Sequence, residues 1–290
     1  MAVTHTAGNG MEAAEQYPLT LVTAYFEIRA SQQRYAGNPY PGWARNLLPF
    51  VRWPLVVFCD EQSLDMLKEA RGDKPAVWHV TRPQEFYVHQ YYALWQTRRA
   101  SRLAAEYGLI WNEKCNFLRQ AMSENPFGSE MFFWCDIGLF RRDRLGPRLY
   151  EGVEWPNLRV CRALPRDKVA LAPIRISGRP AVMGNFFGGA PAPLRRWCDV
   201  FYQCLERCSK EDPFELSDEY IMHSAWEGCP EIGCSLPLRR APYIRLAGLA
   251  GGLVGKEISG HRWYLLSGER FPWRYFRHRI ARRFLPGSSG

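Results

Sequence analysis

No stretch of this chain reaches the roughly 18 uninterrupted apolar residues that a membrane-spanning helix needs. The opening residues, MAVTHTAGNGMEAAEQYPLT, lack the basic start and apolar core of a secretory leader. Together these absences predict a cytoplasmic protein whose residues 1–16 form a disordered start. The nine cysteines form no spaced framework, and the nearest neighbours, Cys204/Cys208 and Cys229/Cys234, lack the short CxxC pairs of a structural zinc site. They read as reduced, buried thiols. Internal repeats, low-complexity tracts and a clear linker are also missing, so a single domain is expected over 17–262. Acidic charge is scarce as well: 29 Asp and Glu against 38 Lys and Arg leave a net charge of +9. Such an excess favours anionic partners, whether nucleic acid, acidic lipid or a phosphorylated small molecule. Specific nucleic-acid recognition is disfavoured, because no helix-turn-helix, zinc-finger or RNP pattern occurs and the aromatics lie inside apolar runs.

What is present is an alternation. "LTLVTAYFEI" (19–28), "WPLVVFCDE" (53–61), "AVWHVT" (76–81) and "EMFFWCDIGLF" (130–140) are apolar, β-branched or aromatic runs, the pattern of strands buried on both faces of a parallel sheet. Between them fall helical patterns: a short piece from Trp43 to Phe50, SLDMLKEARG closed by Gly72, then 86–106 and 109–123, the last stopped by Asn125-Pro126. Gly146 to Arg179 reads as a loop and 182–191 as a compact turn, followed by helices at 193–209 and 216–226. Strands alternating with helices of this length imply a mainly parallel, doubly wound α/β sheet flanked by helices. In such sheets ligands sit beyond the carboxyl ends of the strands, the rim on which Asp60 and Asp136 fall. The chain ends in a basic amphipathic tail, 263–290. There Trp273, Phe276, Ile280 and Phe284 keep helical spacing among five arginines, a pattern that suits either an anionic membrane surface through 270–285 or docking on the body of the protein.

Asp136 is the sharpest single feature. It is one carboxylate inside the bulky, uncharged run FFWCDIGLF, and burying it bare would cost several kcal/mol. It must be paired, hydrogen-bonded or bound to a cation. A divalent ion bridging a diphosphate needs few protein oxygens, and Gly138 leaves room for a ligand to approach the backbone. An ordinary turn Asp followed by a turn glycine is the competing reading. Further along, Ser217 can cap a helix whose first turn carries Asp218 and Glu219. The helix dipole alone accounts for both acids, yet a carboxylate so placed is also suited to take a proton from an acceptor hydroxyl.

The ordered set LVTAYFEI, LVVFCDE, WNEKCNFL, FFWCDIGLFR, GNFFGG and SDEYIMHSAW, spanning about residues 19–230, resembles the HtrL/YibB-like (WlaTC/HtrL) family of proposed bacterial glycosyltransferases. The resemblance implies a GT-A-like fold and transfer of a sugar from a nucleotide-diphosphate donor to a glycan or lipid-linked acceptor, in cell-surface polysaccharide or lipopolysaccharide synthesis. It further implies that Thr23, Ala24 and Tyr25 hold the nucleotide with Asp60, and that Lys114 neutralises a phosphate. Asp136 would bind Mn²⁺ or Mg²⁺, helped by a late histidine, His261. Asn185, Phe186 and Gly188 would contact sugar or acceptor, and Asp218, with Glu219 beside it, would act as base. The usual Asp-x-Asp pair is incomplete here, since Gly138 stands at the second place. The sequence also admits two other readings: a nucleic-acid or polyanion-binding protein, and a catalytically silent nucleotide-sugar binder.

Overall fold

The structure, a computed structural model, describes residues 16–28, 38–98, 102–139, 155–176, 178–211 and 217–236. The strands are β1 (Leu19–Tyr25), β2 (Leu55–Cys59), β3 (Ala76–Val80), β4 (Met131–Cys135), β5 (Val169–Leu171), β6 (Pro173–Ile176), β7 (Arg179–Val182), β8 (Phe186–Gly189) and β9 (Gly233–Ser235). The helices are α1 (Tyr40–Leu47), α2 (Glu61–Arg71), α3 (Tyr92–Arg98), α4 (Arg102–Glu124), α5 (Leu158–Arg162), α6 (Pro191–Glu211) and α7 (Asp218–Gly228).

Seven strands form one sheet in the order β3-β2-β1-β4-β8-β5-β9, with β6 and β7 as a separate hairpin. Strands β1, β2, β3 and β4 are mutually parallel, β8 runs antiparallel to both β4 and β5, and β9 is parallel to β5. This is the expected mixed, mostly parallel α/β sheet flanked by helices. Side chains alternate across it with the period of two that the pleat imposes. Val22, Ala24, Val56, Phe58, Phe132 and Trp134 join one core, beneath α4, α6 and α7. Leu19, Leu21, Leu55, Val57, Phe133 and Cys135 join the other, beneath α1, α2 and α5. Burial on both faces is why these strands read as unbroken apolar runs.

The structure departs from the sequence reading in four places, one of them the expected compact turn 182–191, which contains β8. Of the expected helix over 86–106, residues 92–98 (α3) and 102–106 (the start of α4) are helical, but its beginning is a 3₁₀ turn, Tyr87–Tyr91, preceded by another at Pro83–Glu85. The buried Glu113 carboxylate accepts the N–H groups of Tyr87 and Val88 at 2.9 and 3.1 Å, which fixes that segment as a turn. Helix α4 starts at Arg102, ahead of the expected start at 109, and runs through Gly108. Burial of Tyr107 and Leu109 on either side offsets the roughly 1 kcal/mol that a helical glycine costs. The expected loop 146–179 contains α5, β5 and β6. Three-residue strands such as β5 carry almost no periodic signal and exist because β8 and β9 pair with them. The expected basic C-terminal helix, residues 1–15 and His261 lie outside the described residues.

This topology places one special point. From β1 the chain winds outward through β2 and β3 on one side, while β4 takes the other side of β1. The direction of winding therefore reverses between β1 and β4, and the crevice at their carboxyl ends is where sheets of this kind accept ligands.

Candidate functional site

A cleft of about 300 Å³ opens there. Its floor is the exit of β1 (Ala24, Tyr25 and Phe26) beside the exit of β4 (Asp136, Ile137 and Gly138). One wall carries Tyr40 from α1, whose ring lies 6.3 Å from that of Tyr25 and 4.8 Å from that of Trp43. The facing wall is α4, where Tyr107 and Trp111 stack one turn apart at 5.2 Å and Lys114 follows on the same side. The start of α7 closes the cleft with Ser217, Asp218 and Glu219. Ser217 stands at the expected N-cap position, although no side-chain cap bond forms there.

The polar centre is a cluster around Lys114. Its Nζ donates to Asp218 Oδ2 at 2.7 Å and to the Gly184 carbonyl at 2.9 Å, and it lies 3.1 Å from Asp136 Oδ1. Trp134 Nε1 donates to the same Asp136 oxygen at 2.6 Å, and the Asp136 N–H is taken by the Asn185 carbonyl. The question posed by FFWCDIGLF is thus answered: Asp136 is paired with an ammonium and an indole, and its side chain keeps 27% exposure toward the cleft. Burial alone would favour a neutral amine at Lys114, but the charges of Asp136 and Asp218 outweigh it and raise its pKa, so the group stays an ammonium.

The carboxylates respond in the opposite sense. Burial pushes Asp218 up while Lys114 pulls against it. Burial, reinforced by the charge of Asp218, pushes Glu219 from 4.5 to about 7. The folded protein therefore keeps a proton on Glu219 that the unfolded chain has released. Stability from this group is complete below pH 4.5 and is lost as pH rises toward 7. Glu219→Gln removes that slope. Urea unfolding at pH 5 and pH 8 should show the wild type losing about 2 kcal/mol more than the variant between the two. Equal losses would mean that Glu219 ionises in the folded state as freely as in the unfolded one.

The remaining expected site residues divide. Ala24, Tyr25, Asn185, Asp218 and Glu219 join Lys114 and Asp136 on the cleft. Asp60 does not. It caps α2 by accepting the Ser63 N–H at 2.8 Å and also takes the Glu27 N–H, so its carboxylate is engaged in holding the chain at the end of β2. Thr23 is fully buried within β1, and Phe186 is buried against Phe133 and Trp155. Gly188 lies inside the sheet between β4 and β5. Residues that sequence reasoning passed over include Trp134, Gly184, Tyr107 and Trp111. The last two had a readable signal, since positions 107, 111 and 114 share one helical face.

The described residues do not fit a protein-held Mn²⁺ or Mg²⁺. Among them no group of three Asp, Glu, His or Cys side chains is arranged to hold an ion. An ammonium already stands between Asp136 and Asp218, and Gly138 replaces the second Asp of the usual motif. A Cβ at that glycine would come within 3.0 Å of the Trp43 ring and 3.7 Å of Tyr40, so a side chain there requires the Trp43 ring to give by a few tenths of an ångström.

Residues 79–151 match the HtrL_YibB family model. That family is described as a bacterial protein of unknown function. The HtrL_YibB match takes in α3, α4 and β4, with Lys114 and Asp136, and is narrower than the motif resemblance over 19–230; Asn185 and Asp218 lie beyond it. A search of curated proteins gives no match. Solved structures similar to this chain include "PaToxG Glycosyltransferase", at 9% identity and TM-score 0.38 over 91% of this chain and 83% of that one. Another is the 4-diphosphocytidyl-2C-methyl-D-erythritol synthase of Anaerococcus prevotii, at 10% and 0.35 over 79% and 88%. A third is core-mannan synthase A of Aspergillus fumigatus in its Mn/GDP form, at 8% and 0.37 over 76% and 71%. At these scores the likenesses carry nothing about the reaction.

Proposed function

We propose that the chain is a GT-A-like glycosyltransferase that moves a sugar from a nucleotide-diphosphate donor to a glycan or lipid-linked acceptor of the cell surface. The observation that carries this reading is the convergence of Asp136 and Asp218, from elements 82 residues apart in sequence, on one aromatic-walled cleft at the switch point of the sheet. Tyr25 and Tyr40 offer faces on which a nucleobase can stack. Asn185 lines the cleft, and its side-chain oxygen is buried beneath that wall with no hydrogen-bond partner among the described residues. Asp218 takes the proton from the acceptor hydroxyl as the new oxygen–carbon bond forms at the anomeric carbon. The bond from that carbon to the diphosphate breaks, and its electron pair leaves with the nucleotide. A divalent cation arriving with the diphosphate would meet Asp136 alone among the described carboxylates it was expected to use, and no step is assigned to it.

In this reading residues 17–262 form the transferase domain, and the basic tail 263–290 keeps the enzyme at the inner membrane face near its acceptor. No helix among the described residues is long and apolar enough to cross a membrane.

A thermal-shift panel of UDP-, GDP-, CMP- and dTDP-sugars, with and without Mn²⁺, tests the proposal. A ligand at a hundredfold excess over its Kd stabilises by about 2.7 kcal/mol, which for a domain of this size raises Tm by roughly 5–10 °C. One nucleotide class should produce that shift. A flat panel would remove the transferase reading.

A further inference from the structure

We infer that the Lys114 ammonium is a built-in cation: it fills the position between Asp136 and Asp218 that an ion would otherwise share, and as a positioning residue it aims both carboxylates at the cleft. An ammonium has three N–H donors, and here three acceptors surround it: Asp218 Oδ2 at 2.7 Å, the Gly184 carbonyl at 2.9 Å and Asp136 Oδ1 at 3.1 Å. No donor remains for a substrate phosphate, which changes the role that the sequence suggested for this residue. The surroundings are shaped to the same end. Gly184 carries no side chain where a Cβ would fall 2.2 Å from Asp218 Oδ2, so that carboxylate can lie against the turn before β8. Trp134 holds the far side of Asp136 Oδ1, and its ring lies 5.6 Å from the ammonium. Lys114 is only 4% exposed, so its charge is neutralised by these partners rather than by solvent.

A buried ion pair that merely ties α4 to β4 and α7 would show the same distances but has a different consequence. Removing a plain tie only destabilises. Removing a cation from a cation position leaves two carboxylates, with Glu219 alongside, facing a space that a hard divalent ion accepts through oxygen ligands. The aiming of Asp136 and Asp218 for transfer rests on the glycosyltransferase reading; the occupancy of the cation position does not.

The experiment compares wild type, Lys114→Ala and the double variant Lys114→Ala/Asp218→Asn in MnCl₂ alone, by thermal unfolding and by the EPR signal of free Mn²⁺. At about 1 mM Mn²⁺, in the range where modest oxygen-ligand sites fill, the wild type should neither shift nor bind. Lys114→Ala should melt about 10 °C lower than wild type, recover at least half of that in Mn²⁺, and deplete the free signal. The double variant should ignore Mn²⁺. If Lys114→Ala does not fold metal-free, recovery from urea only in Mn²⁺ supports the inference, and failure in both buffers overturns it. Binding of Mn²⁺ alone by wild type, or a folded Lys114→Ala indifferent to the ion, overturns it too. A flat nucleotide panel beside a positive Mn²⁺ result would remove the transferase reading and leave the cation position standing.

Discussion

Replacing Asp218 with Asn is expected to lower transfer from the responding nucleotide sugar by about 10²–10⁴-fold, the range contributed by a positioned general base, while the protein stays folded. The variant is close to isosteric, and its amide oxygen can still accept from Lys114, which keeps its other bonds to Asp136 and Gly184. Burial already opposes the charge at position 218. A neutral amide is therefore tolerated, and the loss falls on the proton transfer. Release of nucleoside diphosphate in the presence of acceptor measures the rate, and Tm measures the fold. Asp60→Asn is the matched control: it changes another strand-end aspartate, away from the cleft, where Asn caps a helix about as well as Asp. Its rate should match wild type. An Asp218→Asn protein with undiminished turnover would move the base to another residue, with Glu219 next in line.

The contrast between these two aspartates shows what the sequence could and could not reveal. Both end an apolar run, and strand ends on the ligand rim were legible because buried parallel strands are written as continuous hydrophobic stretches. What distinguishes them is three-dimensional. Asp60 is followed by α2, whose free N–H groups claim its carboxylate; Asp136 is followed by a glycine turn and meets Lys114 from a helix that precedes it by one element. A lysine beside a glutamate on a helix looks like a solvated face, yet Glu113 and Lys114 are both buried because each is bound by elements distant in sequence: one by the turns at 87–88, the other by β4 and α7. Local pattern holds no trace of such partners. The strands β5, β8 and β9 went unread for a related reason. They are three or four residues long, and their stability comes from neighbours in the sheet rather than from their own periodicity.

Gly188→Ala should be strongly destabilising, because the added methyl group meets main chain. In "GNFFGG" the glycines invite a reading as a turn approached by a sugar; instead Gly188 sits in an interior strand opposite Phe133 on β4 and Ala170 on β5. A Cβ there would fall 2.2 Å from the Phe132 carbonyl oxygen and 2.6 Å from the Phe133 Cα. These are backbone atoms in the central ladder, so no side chain can rotate away, and relief requires β4 and β8 to part. The expected cost is on the order of 4 kcal/mol, above the usual overpacking range because the contacts are with main chain. Tm should fall by about 10 °C in thermal unfolding. The same ladder ends in the bond from the Asp136 N–H to the Asn185 carbonyl, so any surviving folded fraction should also bind nucleotide more weakly. Gly228→Ala, at the end of α7 with nothing within 4 Å of the added carbon, should change stability by no more than about 1 kcal/mol and in the favourable direction. If the two variants melt together, β8 does not lie against β4, and the placement of Asp136 on the cleft falls with it.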